Sequence, residues 1–270
     1  MKVMGQVIRH AALLLGGIYM LSPIVLMLIS AFTPTADILA GEYLRHPTLD
    51  NFVQVADTVP LWRYYLNSVL VCIGTLALQL VVCIPAAYAM ARLRYRGRTI
   101  SVWILGLLIL VPFQVLAIPI YLIFRSTGLI DTIAALILPF VGSAFAIFLL
   151  RQFFLSLPGA MFDAARLDGA GTAATLLQIV VPSSRPALLS MGIFTITAAW
   201  NAYFWPSFVL TSTNSATIPF GVVDFINSEA VTQFGPQMAM ATLSVLPLLL
   251  AFLFAQRQFI RGLALNGQSG

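Results

Sequence analysis

The sequence predicts an all-α membrane protein of six transmembrane helices, with a polar cytoplasmic loop between spans four and five. Three observations predict it: the composition, six long apolar stretches, and a lopsided distribution of charge. Of 270 residues, 60% are hydrophobic and 9% charged, with a mean hydropathy of +0.96. Soluble domains hold nearer a quarter charged residues, so the bilayer is the solvent of this chain.

A helix needs roughly 20 apolar residues to cross a hydrocarbon core of about 30 Å. The stretches that qualify are Ala11 to Phe32, Leu66 to Ala91, Val102 to Phe124, Ile133 to Leu150, Ala187 to Leu210 and Met238 to Gln256. The first follows Lys2 and Arg9, but its apolar run exceeds that of a signal peptide and no small-x-small cleavage site follows. It reads as a retained helix. Pro23, Pro85, Pro112, Pro119, Pro139, Pro206 and Pro247 fall inside the spans. Such prolines are tolerated where neighbouring helices satisfy the freed carbonyls, so kinked spans in a packed bundle are expected.

Charge orients the bundle. With a cytoplasmic N-terminus, Lys2, Arg9, Arg92, Arg94, Arg96, Arg98, Arg151, Arg166, Arg185, Arg257 and Arg261 lie inside, and Arg45, Arg63 and Arg125 outside. Eleven of the 14 basic residues are then cytoplasmic, as the positive-inside rule requires, and so are both termini. The run Arg92 to Arg98 is read as a topogenic loop against lipid headgroups, with a specific lipid site or nucleic-acid contact as sharper alternatives. Seven acids, among them Asp131 and Glu229, lie outside; Asp163 and Asp168 lie inside.

None of the spans contains Asp, Glu, Lys, Arg or His. That absence argues against a proton-driven carrier, which needs an ionisable relay, and leaves sodium coupling through carbonyls open. Gln79, Gln114, Thr195, Thr197, Asn201 and Ser207 are neutral hydrogen-bonders. Each is read either as lining for a hydroxylated solute or as glue between helices. His10 and His46 fall on opposite sides of the membrane, so they build no catalytic or metal cluster. Cys72 and Cys83 sit roughly 16 Å apart along one helix, beyond disulfide reach. A P-loop needs a lysine, and the only one is Lys2. The chain therefore has no nucleotide site of its own and is not an enzyme.

The polar loop, Leu157 to Pro186, interrupts the apolar chain. Pro158 suits the first position of a short helix and Gly169 its left-handed close. Ala160, Ala164 and Leu167 form one stripe, small enough for another backbone to approach. Asp168 or Thr172 is positioned to cap a second helix, in which Ala173, Leu176, Leu177 and Val180 make an amphipathic stripe ending before Pro182. Two short helices about a glycine hinge read as a docking element or as an interfacial helix.

Asp163-Ala164-Ala165-Arg166-Leu167-Asp168-Gly169-Ala170, with Pro182 and Pro186 beyond it, resembles the EAA loop of binding-protein-dependent ABC importers: Glu-Ala-Ala, three residues, Gly, then Pro about a dozen residues on. Asn67-Ser68, Pro112-Phe113-Gln114 with Pro119, Gly128 to Thr132, Phe148 to Gln152, Trp200-Asn201, Gln256-Arg257 with Gly262, and the outer Pro47 to Phe52 are similar to carbohydrate-type permeases, above all to the second (MalG-type) membrane subunits of maltose importers. Asp163 stands where the family usually has Glu, and Leu176 where an aromatic is common.

The resemblance implies a bacterial inner-membrane permease for a carbohydrate or polyol-like solute, with a coupling-helix loop that seats in a cytoplasmic ATPase. It implies four kinds of neighbour: a homologous second permease, a dimer of ABC ATPase subunits, an extracytoplasmic solute-binding protein and membrane lipid. Nucleic acid is not among them. ATP and Mg belong to the ATPase, and this chain binds no cofactor. Asp163, Ala164, Ala165, Arg166, Asp168 and Gly169 would carry the coupling. Gln114, Trp200 and Asn201 are path candidates, with Trp anchor and Asn glue as the alternative for the last two. The expected organisation is residues 1–65 as first helix and outer segment, 66–262 as a five-helix core with the loop 157–186, and 263–270 as a cytoplasmic tail. That tail lacks the family's usual Gly-rich, Lys-containing ending.

Overall fold

A computed structural model describes the backbone of residues 2–228 and 233–266, with side chains within 6–227 and 233–250 apart from residues 7 and 8. All regular structure among the described residues is helical. The chain divides into two compact units, one of residues 1–61 with 221–259 and one of residues 62–220 with 260–270.

The first unit opens with α1, Lys2–Ala31, which carries Pro23 without breaking. Leu13, Ile18 and Tyr19 on this helix are 66–75% exposed. An apolar helix bare on every side suits lipid or another membrane chain. Two short helices follow, α2 (Thr35–Ala40) and α3 (Asp50–Thr58). Asn51 fastens α3 to the end of α1: its buried amide donates to the carbonyls of Ala31 at 2.9 Å and Thr33 at 3.0 Å. The Ala31 carbonyl is an orphan at the C-terminus of α1, which must be satisfied somehow, and that of Thr33 lies just beyond it. A Cβ on Gly235 would come within 2.6–2.8 Å of the Asn51 side chain, so glycine makes room for that anchor.

The spine of the second unit is α4, Leu61–Arg92, long enough to span and continuous through Pro85. Next come α5 (Arg98–Leu110) and α6 (Phe113–Ser126), bent by 97° at their junction. The stretch drawn as a single span three is thus two helices. Pro112 explains the break: it forces Val111 into extended backbone (φ −79°, ψ 116°) and takes an extended conformation itself. Span four is likewise α7 (Ile133–Ile137), a tight turn at Leu138–Phe140 containing Pro139, and α8 (Ala144–Ser156), with a 44° bend.

The polar loop forms α9 (Gly159–Leu167) and a second helix over Thr172–Ser183. That second helix begins as α10 (Thr172–Ala174), widens into a π-helical stretch at Thr175–Val180 and ends as α11 (Val181–Ser183). A 79° bend leads into α12, Arg185–Trp200. Span five stops there, and Phe204–Val209 forms a separate α13. Two further helices follow, α14 (Ile218–Ser228) and α15 (Phe234–Asn266), the latter covering the stretch expected as span six. Glu229, the tail beyond Asn266, and the side chains of Lys2, Arg257 and Arg261 lie outside the described residues.

Two apolar cores form along α4. Near its start Val71 packs with Ala117, Phe124, Ala135, Leu136, Trp205 and Val209; near its end Cys83, Ala87, Tyr88 and Ala91 pack with Leu150, Phe154, Phe162, Leu176, Val180 and Met191. Gln79 ties the region between them, donating to the Phe140 carbonyl at 2.7 Å and accepting from the Thr195 hydroxyl at 2.6 Å. For Gln79 and Thr195 the glue reading describes what the side chains do.

Candidate functional site

The polar loop is folded onto the spans from its buried side. Pro158 is the N-cap residue of α9, one position earlier than expected, and Gly159 is its first residue. At the other end Asp168 is the C-cap and Gly169 takes φ +72°. The Ala170 amide reaches back to the Ala165 carbonyl at 2.9 Å and the Gly169 amide to the Arg166 carbonyl at 3.1 Å. This is a left-handed glycine closure of a helix, and it turns the chain sharply after one short helix.

The two faces of α9 differ. Phe162 and Ala165 are buried, whereas Ala160, Ala164 and Leu167 are exposed, Leu167 at 89%. The stripe foreseen for docking is therefore bare. Asp163 and Arg166 are exposed neighbours, 3.4 Å apart, a separation and exposure that contribute little stability. Asp168 is exposed as well. The six coupling candidates fall on one helix and its cap, with Ala165 alone turned inward.

The second helix differs from expectation in two ways. Its N-cap is Gly171, without a side-chain cap. Thr172 is already inside the helix, and Thr175 Oγ1 instead donates to the Gly171 carbonyl, so neither Asp168 nor Thr172 caps it. The π-helical stretch also rotates the apolar stripe: Thr175, Leu176 and Val180 are buried, while Ala173 and Leu177 face outward. A wider turn shifts the register by about one residue.

Sequence reasoning missed the strap that holds α9. Arg92, the last residue of α4, donates through Nη2 to the carbonyls of Phe154 (2.7 Å), Leu155 (3.2 Å) and Leu157 (2.6 Å), and through Nε to Phe154 (3.0 Å). Its guanidinium also lies 4.2 Å from the Phe162 ring centroid, a cation–π contact. One side chain thus joins the end of α4, the C-terminus of α8 and the buried face of α9. Arg98 closes α4 itself, donating to the carbonyls of Met90 and Ala91 at 3.0 and 2.7 Å. The readable signal was the placement of arginines directly after helical runs, where they satisfy terminal carbonyls.

The chain neighbours of two path candidates meet in one apolar core. Phe113 stacks on Phe140 at 4.8 Å and meets Trp205 edge-on at 5.5 Å, and Trp205 donates its indole N–H to the Ala135 carbonyl at 2.8 Å. Phe113 and Ala199, chain neighbours of Gln114 and Trp200, both pack on this cluster. Gln114 is exposed at the start of α6; Trp200 is buried at the end of α12; Asn201 is exposed and donates to the Thr197 carbonyl at 2.8 Å. Trp205, not singled out from the sequence, is the buried centre. Beside it α13 exposes Phe204 and Phe208, 4.8 Å apart.

At the far end of α6, Asp131 sits in left-handed backbone (φ 64°) and its carboxylate accepts from the amides of Thr211 (3.1 Å) and Ser212 (3.2 Å). Burial pushes its pKa up, but hydrogen bonds from Ser212 and Thr211 outweigh that and hold it below the usual carboxylate value.

Apolar helices bare to their surroundings, two bent spans and a polar loop between apolar helices define a multi-pass membrane protein. The chain belongs to the family described as binding-protein-dependent transport system inner membrane components, whose model matches residues 83–265, more than half of its length. It is similar to the arabinooligosaccharides transport system permease protein AraQ of Halalkalibacterium halodurans, 29% identical, with 92% of this chain and 91% of that protein covered. It is also similar to the sn-glycerol-3-phosphate transport system permease protein UgpE of Pectobacterium atrosepticum, 30% identical, covering 96% and 95%. A bacterial ABC transporter that imports the acidic polysaccharide alginate has the same fold: TM-score 0.81, 22% identity, 96% and 97% covered. The chain is thus a permease subunit of an ABC transport system and not an enzyme.

Proposed function

We propose that this chain is one permease half of an ATP-driven importer for a carbohydrate or polyol-like solute, oligosaccharides and glycerol phosphate derivatives being the foremost classes. It crosses the cytoplasmic membrane of a bacterium six times, broken helices included, with both termini inside. Its partners are a second homologous permease, an ABC ATPase dimer that holds ATP and Mg, and an extracytoplasmic binding protein. Relatives that move arabinooligosaccharides and sn-glycerol-3-phosphate support the solute class.

The observation that carries the reading is α9: an exposed stripe of Ala160, Ala164 and Leu167 on a helix whose other face is strapped to α4 and α8 through Arg92 and Phe162. Force applied to that stripe reaches the spans through packed side chains, the physical requirement for a two-state switch. Residues 157–186 are then the coupling loop within a core of 66–262, preceded by a first helix and outer segment, 1–65, and followed by a tail, 263–270. Gln114, Trp200 and Asn201 border the path. The neutral amides and the aromatic face of α13 suit a hydroxylated solute.

The test is co-purification of the complex followed by a solute panel on its binding protein, with uptake measured in liposomes. Carbohydrate or glycerol-phosphate binding and ATP-dependent uptake are expected, with Asp163→Lys hydrolysing ATP without uptake. An amino acid or peptide as the bound solute, uptake by this chain alone under an ion gradient, or normal uptake by Asp163→Lys would each contradict the reading.

A further inference from the structure

A cavity of about 400 Å³ lies between the end of α4, the turn into α5 and one flank of α9. Four arginines line it, Arg92, Arg94, Arg98 and Arg166, against one acid, Asp163, with Tyr88 among the other lining residues. Arg92 and Arg98 are fixed by their bonds to helix-end carbonyls, so their charge is held in place. Asp163 approaches only Arg166, at 3.4 Å, and leaves most of the positive charge uncompensated. Arg94 is exposed and has no hydrogen bond or ion pair among the described residues. Arginines gathered around one cavity, Arg94 with all its donors unused, suit phosphate oxygens.

The cavity lies at a boundary between polar and apolar surface. The apolar run of α4 ends at Arg92, and α5, which begins at Arg98, at once exposes Ile100, Trp103 and Ile104. Arginine beside exposed Trp marks the headgroup level of a membrane, and anionic phospholipids of the cytoplasmic leaflet attract such a cluster. The bare stripe Ala160, Ala164 and Leu167 occupies other positions of α9 than Gly159, Phe162, Asp163 and Arg166, which line the cavity. The cavity and the stripe are thus lined by different residues of α9.

We infer that this cavity binds a phosphate group, carried by an anionic phospholipid headgroup or free in the cytosol, and that the bound phosphate braces α9 against the end of α4. The inference rests on the cytoplasmic placement of the loop, not on α9 being the ATPase seat.

The test uses the complete complex in nanodiscs of phosphatidylcholine, with or without about a quarter phosphatidylglycerol. Native mass spectrometry measures phosphatidylglycerol retention, and thermal unfolding in the discs lacking it measures stabilisation by inorganic phosphate. Wild-type protein retains phosphatidylglycerol, naming the headgroup, or is stabilised by phosphate alone, naming the free anion. Arg94→Gln weakens that ligand about fivefold, the worth of one arginine at a charged lipid surface, and Arg94→Lys keeps most of the affinity. Response to neither ligand, or equal affinity in wild type, Arg94→Gln and Arg94→Gln/Arg98→Gln, overturns the inference. So does crosslinking of Arg94→Cys to the ATPase without ligand binding, which assigns the cavity to that partner. Labelling of Arg94→Cys only from the outer side removes the cytoplasmic placement itself, a failure distinct from the others.

Discussion

Replacing Arg92 with Gln tests whether α9 drives the spans through a defined strap. The substitution removes the two short bonds to Phe154 and Leu157, at 2.7 and 2.6 Å, and the contact over the Phe162 ring at 4.2 Å. Bonds from a charged donor contribute about 1.5 kcal/mol each at the low end, and the cation–π contact about 0.5–1 kcal/mol. Together these come to nearly 4 kcal/mol. Water entering the space left by the guanidinium offsets part of the loss, so a net effect of about 2 kcal/mol is expected, a factor of roughly 30 in an equilibrium. The assay is solute uptake per ATP hydrolysed by the complete complex in liposomes. Arg92→Gln should assemble and hydrolyse ATP while uptake per ATP falls by about that factor, and Arg92→Lys should fall between. Wild-type uptake in Arg92→Gln would refute the strap.

Gly169 has open space where a side chain would project, but its φ is +72°, so the penalty for substitution comes from the backbone, about 1–2 kcal/mol. Gly169→Asn should transport nearly normally and Gly169→Val about tenfold less per ATP, read in the same liposome assay. The Asp131 carboxylate has a folded pKa below its unfolded value. Its contribution is therefore full above the ordinary carboxylate pKa of about 3.9 and is lost as pH falls from there through the lower folded value. Amide exchange across residues 209–215, compared between pH 6 and pH 3 after correction for intrinsic rates, should accelerate at the acid end in wild type. That acid dependence should vanish in Asp131→Asn. Asn51→Ala leaves the carbonyls of Ala31 and Thr33 without this donor and should cost about 1–3 kcal/mol; Gly235→Ala should cause a similar drop in thermal midpoint by displacing the same amide.

Much of the loop was readable because its punctuation is local. Pro158 and Gly169 bound α9 through backbone rules that need no tertiary partner, and the spacing of Ala160, Ala164 and Leu167 puts them on one stripe, whose exposure only the fold decides. The second helix was harder: a π-helical stretch at Thr175–Val180 is a response to packing of Leu176 and Val180 into the core under α4, and periodicity alone cannot foresee it. Pro112 was visible, but whether a proline kinks a span or turns it by 97° depends on what packs beyond it. Here that is Phe113 on Phe140 and Trp205. As a charge pattern the run from Arg92 to Arg98 says nothing of the individual tasks of Arg92 and Arg98 as carbonyl partners, which depend on where α4 and α8 end. Trp205 was overshadowed by the more recognisable Trp200-Asn201 pair, although its central role requires the fold that brings Ala135 to its indole.

Maleimide labelling of Ala164→Cys probes the force-receiving role of α9 most directly, since Cys72 and Cys83 are buried and contribute little background. With both permeases present, the thiol should react quickly from the cytoplasmic side when the ATPase is absent and at least about tenfold more slowly once it is bound, the ratio of a change of about 1.4 kcal/mol or more in access. Equal labelling with and without the ATPase, or labelling only from the outer side, would contradict the claim that α9 is where this permease receives its force.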